Sequence, residues 1–134
     1  MLPVVENTIN DLTFIPLAIP SRTYLFDLDA QRVQGVTDRR EAMKQTIYLI
    51  LHTERYQYAI YSWGYGAEMS DLVGQPIPFV LPEIKRRVTD ALLHDGRITA
   101  VDNWGFETQR RTVKATFTAH TIYGEIDTSA EVIV

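Results

Sequence analysis

The chain has 134 residues, 46% of them hydrophobic and 22% charged, with a net charge of −4 at pH 7. This length suits one domain with a modest core, and the negative charge argues against general nucleic-acid binding, which needs many cations. Because the chain has no cysteine, disulfides, thiol catalysis and cysteine-ligated zinc are excluded, as expected of a protein made and kept in the cytoplasm.

Residues 1–21 are predicted to form an extended arm. Three prolines at positions 3, 16 and 20 exclude a helix. The stretch lacks a basic start and is interrupted by Glu6 and Asp11, so it is predicted to be neither a signal peptide nor a membrane span. Its apolar residues are expected to be buried on this domain or on a neighbouring protein; they are Leu12, Phe14, Ile15, Leu17 and Ile19.

Residues 22–134 are predicted to form a single α+β domain, with two main helices packed on a mostly antiparallel sheet. A strand is predicted over residues 22–28, and a turn then leads into a short run over residues 32–36. A helix is then predicted over residues 38–51, because Asp38 and Glu41 form a capping-box pattern. The apolar residues of this helix follow at helical spacing; they are Met43, Ile47, Ile50 and Leu51.

The middle of the chain is rich in aromatic residues, glycine and proline. Residues 56–63 alternate imperfectly, which favours a short strand or an extended segment. Residues 67–73 predict a helix of one to two turns that is closed by Gly74. A second long helix is predicted over residues 81–94, with Pro82 in its first turn, where a missing N–H costs nothing.

The last third is predicted to be β structure: a strand over residues 98–104, a turn at Gly105-Phe106, and a β-hairpin over residues 112–134. Apolar residues share one face of each hairpin strand; they are Val113, Ala115, Phe117, Ala119 and Tyr123 on the first, and Ile126, Ala130, Val132 and Val134 on the second.

A type II′ turn at Gly124-Glu125 would pair Ala119 with Ala130. A turn at Tyr123-Gly124 would shift the pairing but match the same faces, whereas a three-residue loop would set apolar against polar residues.

The second strand of this hairpin is the predicted functional site. A strand that finishes a chain is expected at a sheet edge, where its unpaired N–H and C=O groups can accept a strand from another protein. The acidic side chains of this strand discourage self-association and would accept a basic or neutral strand. The predicted edge consists of Ile126, Asp127, Thr128, Ser129, Ala130, Glu131, Val132, Ile133 and Val134.

Other chemistry is weakly supported by the sequence. The three histidines have no metal-ligand spacing, so no metal site, cofactor or catalytic residue is predicted. An acid–base pair for glycoside cleavage can be assembled from Glu54 with Glu68 or Asp71. The simpler interpretation of Glu54-Arg55 is a structural charge pair that ties the first helix to the next segment.

Two segments that contain arginine have alternative interpretations. Lys85-Arg86-Arg87 is either a solvated helix face or a docking patch for an acidic partner. Asp95-Gly96-Arg97 joins the second helix to a strand, with Gly96 predicted as a left-handed cap. Arg97 is either an ordinary surface residue or an exposed guanidinium that forks onto a partner's carbonyls or carboxylates.

Residues 40–55, REAMKQTIYLILHTER, resemble the E-A-x-x-Q-x-I-x-x-x-L-x-T-x-x-G-E-R core of the baseplate sheath-initiator family, a baseplate wedge family with some lysozyme-like names. Residues 61–68 look like the family's aromatic-glycine segment. The resemblance covers residues 22–134 and is strongest to the branch in Gram-positive prophages and bacteriocins. Two departures are the missing glycine before Glu54-Arg55 and Asp95-Gly96-Arg97 in place of the family's E-P-R motif.

The resemblance implies a structural, non-enzymatic protein of a contractile tail or phage-tail-like particle. By this analogy Asp95-Gly96-Arg97 docks on baseplate wedge proteins, and the C-terminal hairpin receives a strand from the first sheath ring. Several copies around the tail axis are implied, with the tail tube or hub as a further partner, but no membrane or nucleic acid. Assembly is expected in the host cytoplasm and the final location in the baseplate. The alternatives are a cell-wall hydrolase that uses Glu54 and a small cytoplasmic adaptor that binds through the same edge.

Overall fold

A computed structural model describes residues 21–134; apart from Ser21, the predicted arm lies outside the described residues. The fold is α+β, as predicted. Its elements are β1 (Thr23–Asp27), β2 (Arg32–Thr37), α1 (Arg39–Leu51), a 3-10 turn (Ser70–Leu72), α2 (Ile77–Leu93), β3 (Ile98–Gln109), β4 (Thr112–Thr121) and β5 (Gly124–Ile133).

The strands form two antiparallel sheets. β1 pairs with β2, and the second sheet has the order β3-β4-β5, so β4 is its central strand. The two helices bury their apolar stripes against this second sheet. The largest side chains that are fully buried are Met43 and Ile47 of α1, Val80, Ile84, Val88 and Leu92 of α2, Leu72 of the 3-10 turn, and Val113 and Ile126 of the sheet.

Helix α1 begins where the sequence predicts it. The carboxylate of Asp38 accepts a hydrogen bond from the Arg39 N–H at 2.7 Å. The reciprocal capping box does not form, because the Glu41 carboxylate accepts from Lys44 Nζ at 3.0 Å instead. Asp38 therefore caps the helix through its first N–H rather than its third.

Helix α2 begins at Ile77, earlier than predicted, and Pro82 lies inside it. The start is set by Pro76, whose carbonyl accepts from Phe79 and Val80 N–H at 2.9 and 3.0 Å. Pro82 therefore lies beyond the first turn, so the prediction that its missing N–H costs nothing is wrong: the carbonyl of Pro78 lacks its helical hydrogen bond.

Residues 56–63 form turns, so the predicted strand or extended segment is wrong. The chain pairs here only at a single bridge between Glu54 and Ala67, and without a partner strand the segment has no sheet face on which to bury its aromatic side chains. Tyr56 and Trp63 are exposed. The predicted helix over 67–73 is reduced to the 3-10 turn, with Gly74 following at φ 83°.

Strand β3 continues through Gly105 and Phe106, so the predicted turn there is wrong. The pairing with β4 is irregular between Asp102 and Gly105, and Asn103 has a φ of 56°. A Cβ atom at Gly105 would lie 2.7 Å from Thr116 Oγ1, so glycine allows the two strands to approach. The glycine marks a bulge within a strand rather than its end.

The terminal hairpin has the predicted faces and a different register. Ala119 pairs with Ile126 and Ala115 with Ala130, which places the turn at Ile122-Tyr123 instead of at Gly124-Glu125 or Tyr123-Gly124. Both predicted turns are therefore wrong. Each predicted pairing differs from the observed one by an even number of residues, so the same faces of the two strands are still matched.

Candidate functional site

Strand β5 lies at an edge of the sheet: within residues 21–134 its only neighbouring strand is β4. The pairing with β4 is regular over ten residue pairs, from Thr112 with Ile133 to Thr121 with Gly124. The Val134 N–H continues the same register and donates to the Arg111 carbonyl at 2.6 Å. An edge without irregularities keeps its outer groups in line for a further strand.

The backbone groups on the outer side of β5 belong to its odd-numbered residues. Hydrogen-bonded positions alternate along an antiparallel strand, and Val134 bonds toward β4, so the other even-numbered residues do as well. Arg40 confirms this assignment, because its Nε and Nη2 donate to the carbonyl of Glu125 from the opposite side at 3.2 and 2.9 Å. Beyond Glu125, the residues that direct N–H and C=O groups outward are Asp127, Ser129, Glu131 and Ile133.

The side chains of β5 alternate between the core and solvent. Ile126, Ala130 and Val132 are buried, whereas Asp127 and Glu131 are exposed. Of the predicted edge residues, Ile126 to Ile133 all lie on β5 and Val134 follows it directly. The strand is thus anchored through one face, and beyond Glu125, whose outward carbonyl binds Arg40, its outer edge pairs with no other described strand.

A histidine bridge, which no sequence pattern indicated, crosses the solvent face of the sheet. His120 of β4 lies between two carboxylates: its Nε2 is 2.8 Å from Asp102 Oδ1 on β3, and its Nδ1 is 3.4 Å from Glu125 Oε1 on β5. The hydrogen bond to Asp102 raises the pKa of His120. Only the cross-strand register, which the sequence did not supply, brings these three residues together.

The Asp95-Gly96-Arg97 loop is held by its own side chains. The Nε and Nη2 atoms of Arg97 lie 3.0 and 2.7 Å from the two carboxylate oxygens of Asp95, and the Arg97 N–H also donates to Oδ1 at 3.0 Å. These bonds hold the pKa of Asp95 below its usual range. The forked guanidinium therefore binds within the motif, which corrects the expectation of an exposed group. Gly96 is exposed and has no positive φ, so the predicted left-handed cap is wrong.

The loop also connects to the turn that begins β5. The Arg97 carbonyl accepts from the Ile122 N–H at 3.0 Å, and Arg97 Nη1 donates to Ser21 Oγ at 3.0 Å. Ser21 Oγ is in turn 2.8 Å from the hydroxyl of Tyr123. Both predicted interaction sites are therefore joined through the β4–β5 turn.

Glu54 and Arg55 do not pair with each other, which corrects the predicted charge pair. Glu54 accepts from the Met69 N–H and from the Ser70 N–H and hydroxyl at 3.2, 3.3 and 2.8 Å. Arg55 Nη1 donates to Asp90 of α2 at 2.8 Å. Burial opposes the charge of Arg55, but the bond and the charge of Asp90 outweigh it and raise its pKa. Each residue ties the exit of α1 to a different element.

Most of the basic run on α2 is already paired. Glu83 accepts from both Arg86 and Arg87, which lower its pKa to about 2. Arg87 also bonds Asp71, in the middle of the 3-10 turn. This arrangement supports the interpretation as a solvated, self-paired helix face rather than a docking patch.

Residues 21–134 contain no helix that is long and apolar enough to cross a membrane. In the same residues, no group of three or more His, Asp or Glu side chains is arranged to hold a metal ion.

Comparisons with known proteins agree on one family. The model of the contractile injection system sheath initiator family matches residues 18–124. The phage-like element PBSX protein XkdS of Bacillus subtilis (strain 168) is 32% identical over 111 residues, which cover 80% of this chain and 79% of that protein. The family match ends where β5 begins, so the interpretation of the outer edge depends on the geometry of this chain.

Proposed function

Because this chain belongs to the contractile injection system sheath initiator family, we propose that it links the baseplate to the first sheath ring by β-strand addition. It is a structural component of a phage-type tail baseplate. In the proposed mechanism, a strand from a sheath subunit pairs with the outer edge of β5, and the β3-β4-β5 sheet gains a fourth strand.

The observation that carries this proposal is the regular outer edge of β5. Its four outward residues, Asp127, Ser129, Glu131 and Ile133, present a row of N–H and C=O groups. Each backbone hydrogen bond contributes about 0.5–1.5 kcal/mol net. A full ladder of eight such bonds therefore contributes roughly 4–12 kcal/mol before the entropy of ordering the added strand is subtracted.

Several copies around the tail axis would multiply a modest single contact through avidity. A ladder also suits a joint that persists while the sheath contracts, because a pull along the strand loads all its hydrogen bonds together. The buried face of β5 supports this role, since Ile126 and Val132 anchor the strand in the core.

The Asp95-Gly96-Arg97 loop is proposed to dock on a baseplate wedge protein. Three of the five N–H donors of the Arg97 guanidinium are engaged by Asp95 and Ser21, which leaves two for a partner's carbonyls or carboxylates. Exposed Gly96 has no described atom within 4 Å of where a Cβ would be. The internal ion pair supports the proposal because it holds the loop in shape before a partner arrives.

The test of strand addition removes an outward donor without disturbing β4. Ser129→Pro deletes one outward N–H and places a ring where the added strand would lie. Ser129→Thr keeps the N–H and is the matched control. We expect both variants to fold, as judged by circular dichroism and melting temperature, and only the proline variant to lose sheath assembly on isolated baseplates. Normal sheaths from a folded Ser129→Pro protein would refute the proposal.

The two alternative functions are a hydrolase, which would use Glu54, and an adaptor, which would use the β5 edge. For the hydrolase, the oxygens of Glu54 already accept three hydrogen bonds that hold the 3-10 turn, so no observation favours an acid role. The adaptor would use the same edge, and loss of sheath assembly in Ser129→Pro separates it from the sheath initiator.

A further inference from the structure

The charges along β5 carry information about the strand that it accepts. The residues whose backbone points outward also place their side chains on the solvent face, and Asp127 and Glu131 are the acidic ones next to the open groups. β5 contains no lysine or arginine. In an antiparallel or parallel ladder, the residue opposite each outward position shares its face, with Cβ atoms roughly 4.5–5.5 Å apart.

Within the described residues, neither acid forms a salt bridge. Asp127 accepts one hydrogen bond from the neutral Thr118 hydroxyl at 2.6 Å. Glu131 is opposite Lys114 in the register, yet within residues 21–134 the two form no salt bridge. Glu125 differs, because His120 lies 3.4 Å from its carboxylate. The two acids are thus four residues apart at the open part of the edge, and Asp127 is the one that has no cation opposite it in the register.

The residues between them set a second requirement. Thr128, Ala130 and Val132 face the core, and Ala130 and Val132 retain 7% and 6% exposure at its margin. Side chains of an added strand on this face would continue the core layer. An unpaired charge placed there would lose its hydration, so apolar residues are required.

The far end of the edge has the opposite charge. The β3–β4 turn presents Arg110 and Arg111, and the Arg111 carbonyl binds the Val134 N–H. A basic strand that slipped by two residues in this direction would place its two cations opposite Ser129 and Ile133 instead of Asp127 and Glu131, and would approach the arginines. The charge pattern therefore selects one register as well as one kind of strand.

We propose that the strand accepted by β5 carries Lys or Arg at two positions four residues apart, which face Asp127 and Glu131, with apolar residues on its alternate, core-facing positions. This inference rests on the proposed strand addition and specifies the chemistry of its partner. Each matched charge pair is expected to strengthen binding about two- to fivefold over an uncharged pair.

The test uses three fluorescein-labelled synthetic nine-residue peptides with the same apolar positions. The two solvent-face positions carry lysine, glutamate or glutamine, and binding to the full chain is measured by fluorescence anisotropy at low and high salt. The lysine peptide is expected to bind at least tenfold more tightly than the glutamate peptide, with the difference falling at high salt. Asp127→Lys combined with Glu131→Lys is expected to reverse the order.

A matched control is Glu107→Lys, which changes an acid on β3 away from the open edge and is expected to keep the preference. Equal binding of the three peptides, or an unchanged order in the double variant, would overturn the charge pattern and leave strand addition standing. Failure of all three peptides to bind would overturn strand addition itself and this inference with it.

Discussion

The sheet has two edges, and they differ in how regularly they are built. β3 pairs with β4 through two irregularities, one between Ile98 and Ala100 and one between Asp102 and Gly105, whereas the ten pairs of β4 with β5 have none. α2 also packs beside β3. Bulges bend an edge and interrupt its row of outward groups, so only the β5 edge is left straight enough to template a new strand.

This difference supports the proposed strand addition at β5, because the pairing of β3 is irregular and that of β5 is not. Asn103, in the left-handed region at φ 56°, belongs to the protected edge. Ser129, at the middle of the open edge, has no comparable distortion. If the proposed strand addition holds, the irregular β3 edge limits it to β5.

The largest expected effect tests whether β5, besides forming the open edge, is also anchored in the core. Ile126 is 1% exposed, so Ile126→Ala is expected to destabilise the protein by about 2–5 kcal/mol. On the same strand Ile133 is 67% exposed, and Ile133→Ala is expected to change stability by less than about 0.5 kcal/mol. Urea unfolding measures both. Equal effects would mean that β5 is not anchored as described.

The next effect tests the bulge that protects β3. Gly105→Ala would place a Cβ 2.7 Å from Thr116 Oγ1, and overpacking of this kind is expected to cost about 1–3 kcal/mol. Thr116→Ala removes the clashing hydroxyl and should restore most of the loss in the double variant, as measured by thermal unfolding. A Gly105→Ala protein as stable as the parent would show that the strands do not approach so closely.

The smallest effect concerns the bridge that links both edges through β4. The hydrogen bond to Asp102 raises the pKa of His120 above its ordinary value near 6.5. The protonated ring therefore stabilises the fold fully below the unfolded-state pKa, and this contribution is lost as the pH rises through the higher folded-state pKa.

We expect the urea midpoint of the parent to fall across that pH window relative to His120→Gln, which cannot titrate there. NMR titration of the His120 ring supplies the pKa directly. A midpoint that rises with pH relative to the variant would contradict the bridge.

Local patterns predicted a good part of this molecule. The alternation in residues 112–134 placed Val113, Phe117 and Ile126 on one buried face, and Asp38 marked the start of α1. Register was out of reach because a shift by two residues preserves every face. Gly105 was wrongly predicted to lie in a turn, because the sequence alone does not distinguish a glycine in a turn from a glycine in a bulge.

The candidate site, like the fold, could be predicted from the sequence only in part. The acidic residues and the period of the last strand were visible in the sequence, since side-chain alternation is a local property of the chain. Tertiary structure alone decided which backbone groups face outward and that Glu54 and Arg55 bind different elements. Both depend on contacts between residues distant in sequence, whose geometry is set only when the helices and the sheet pack together.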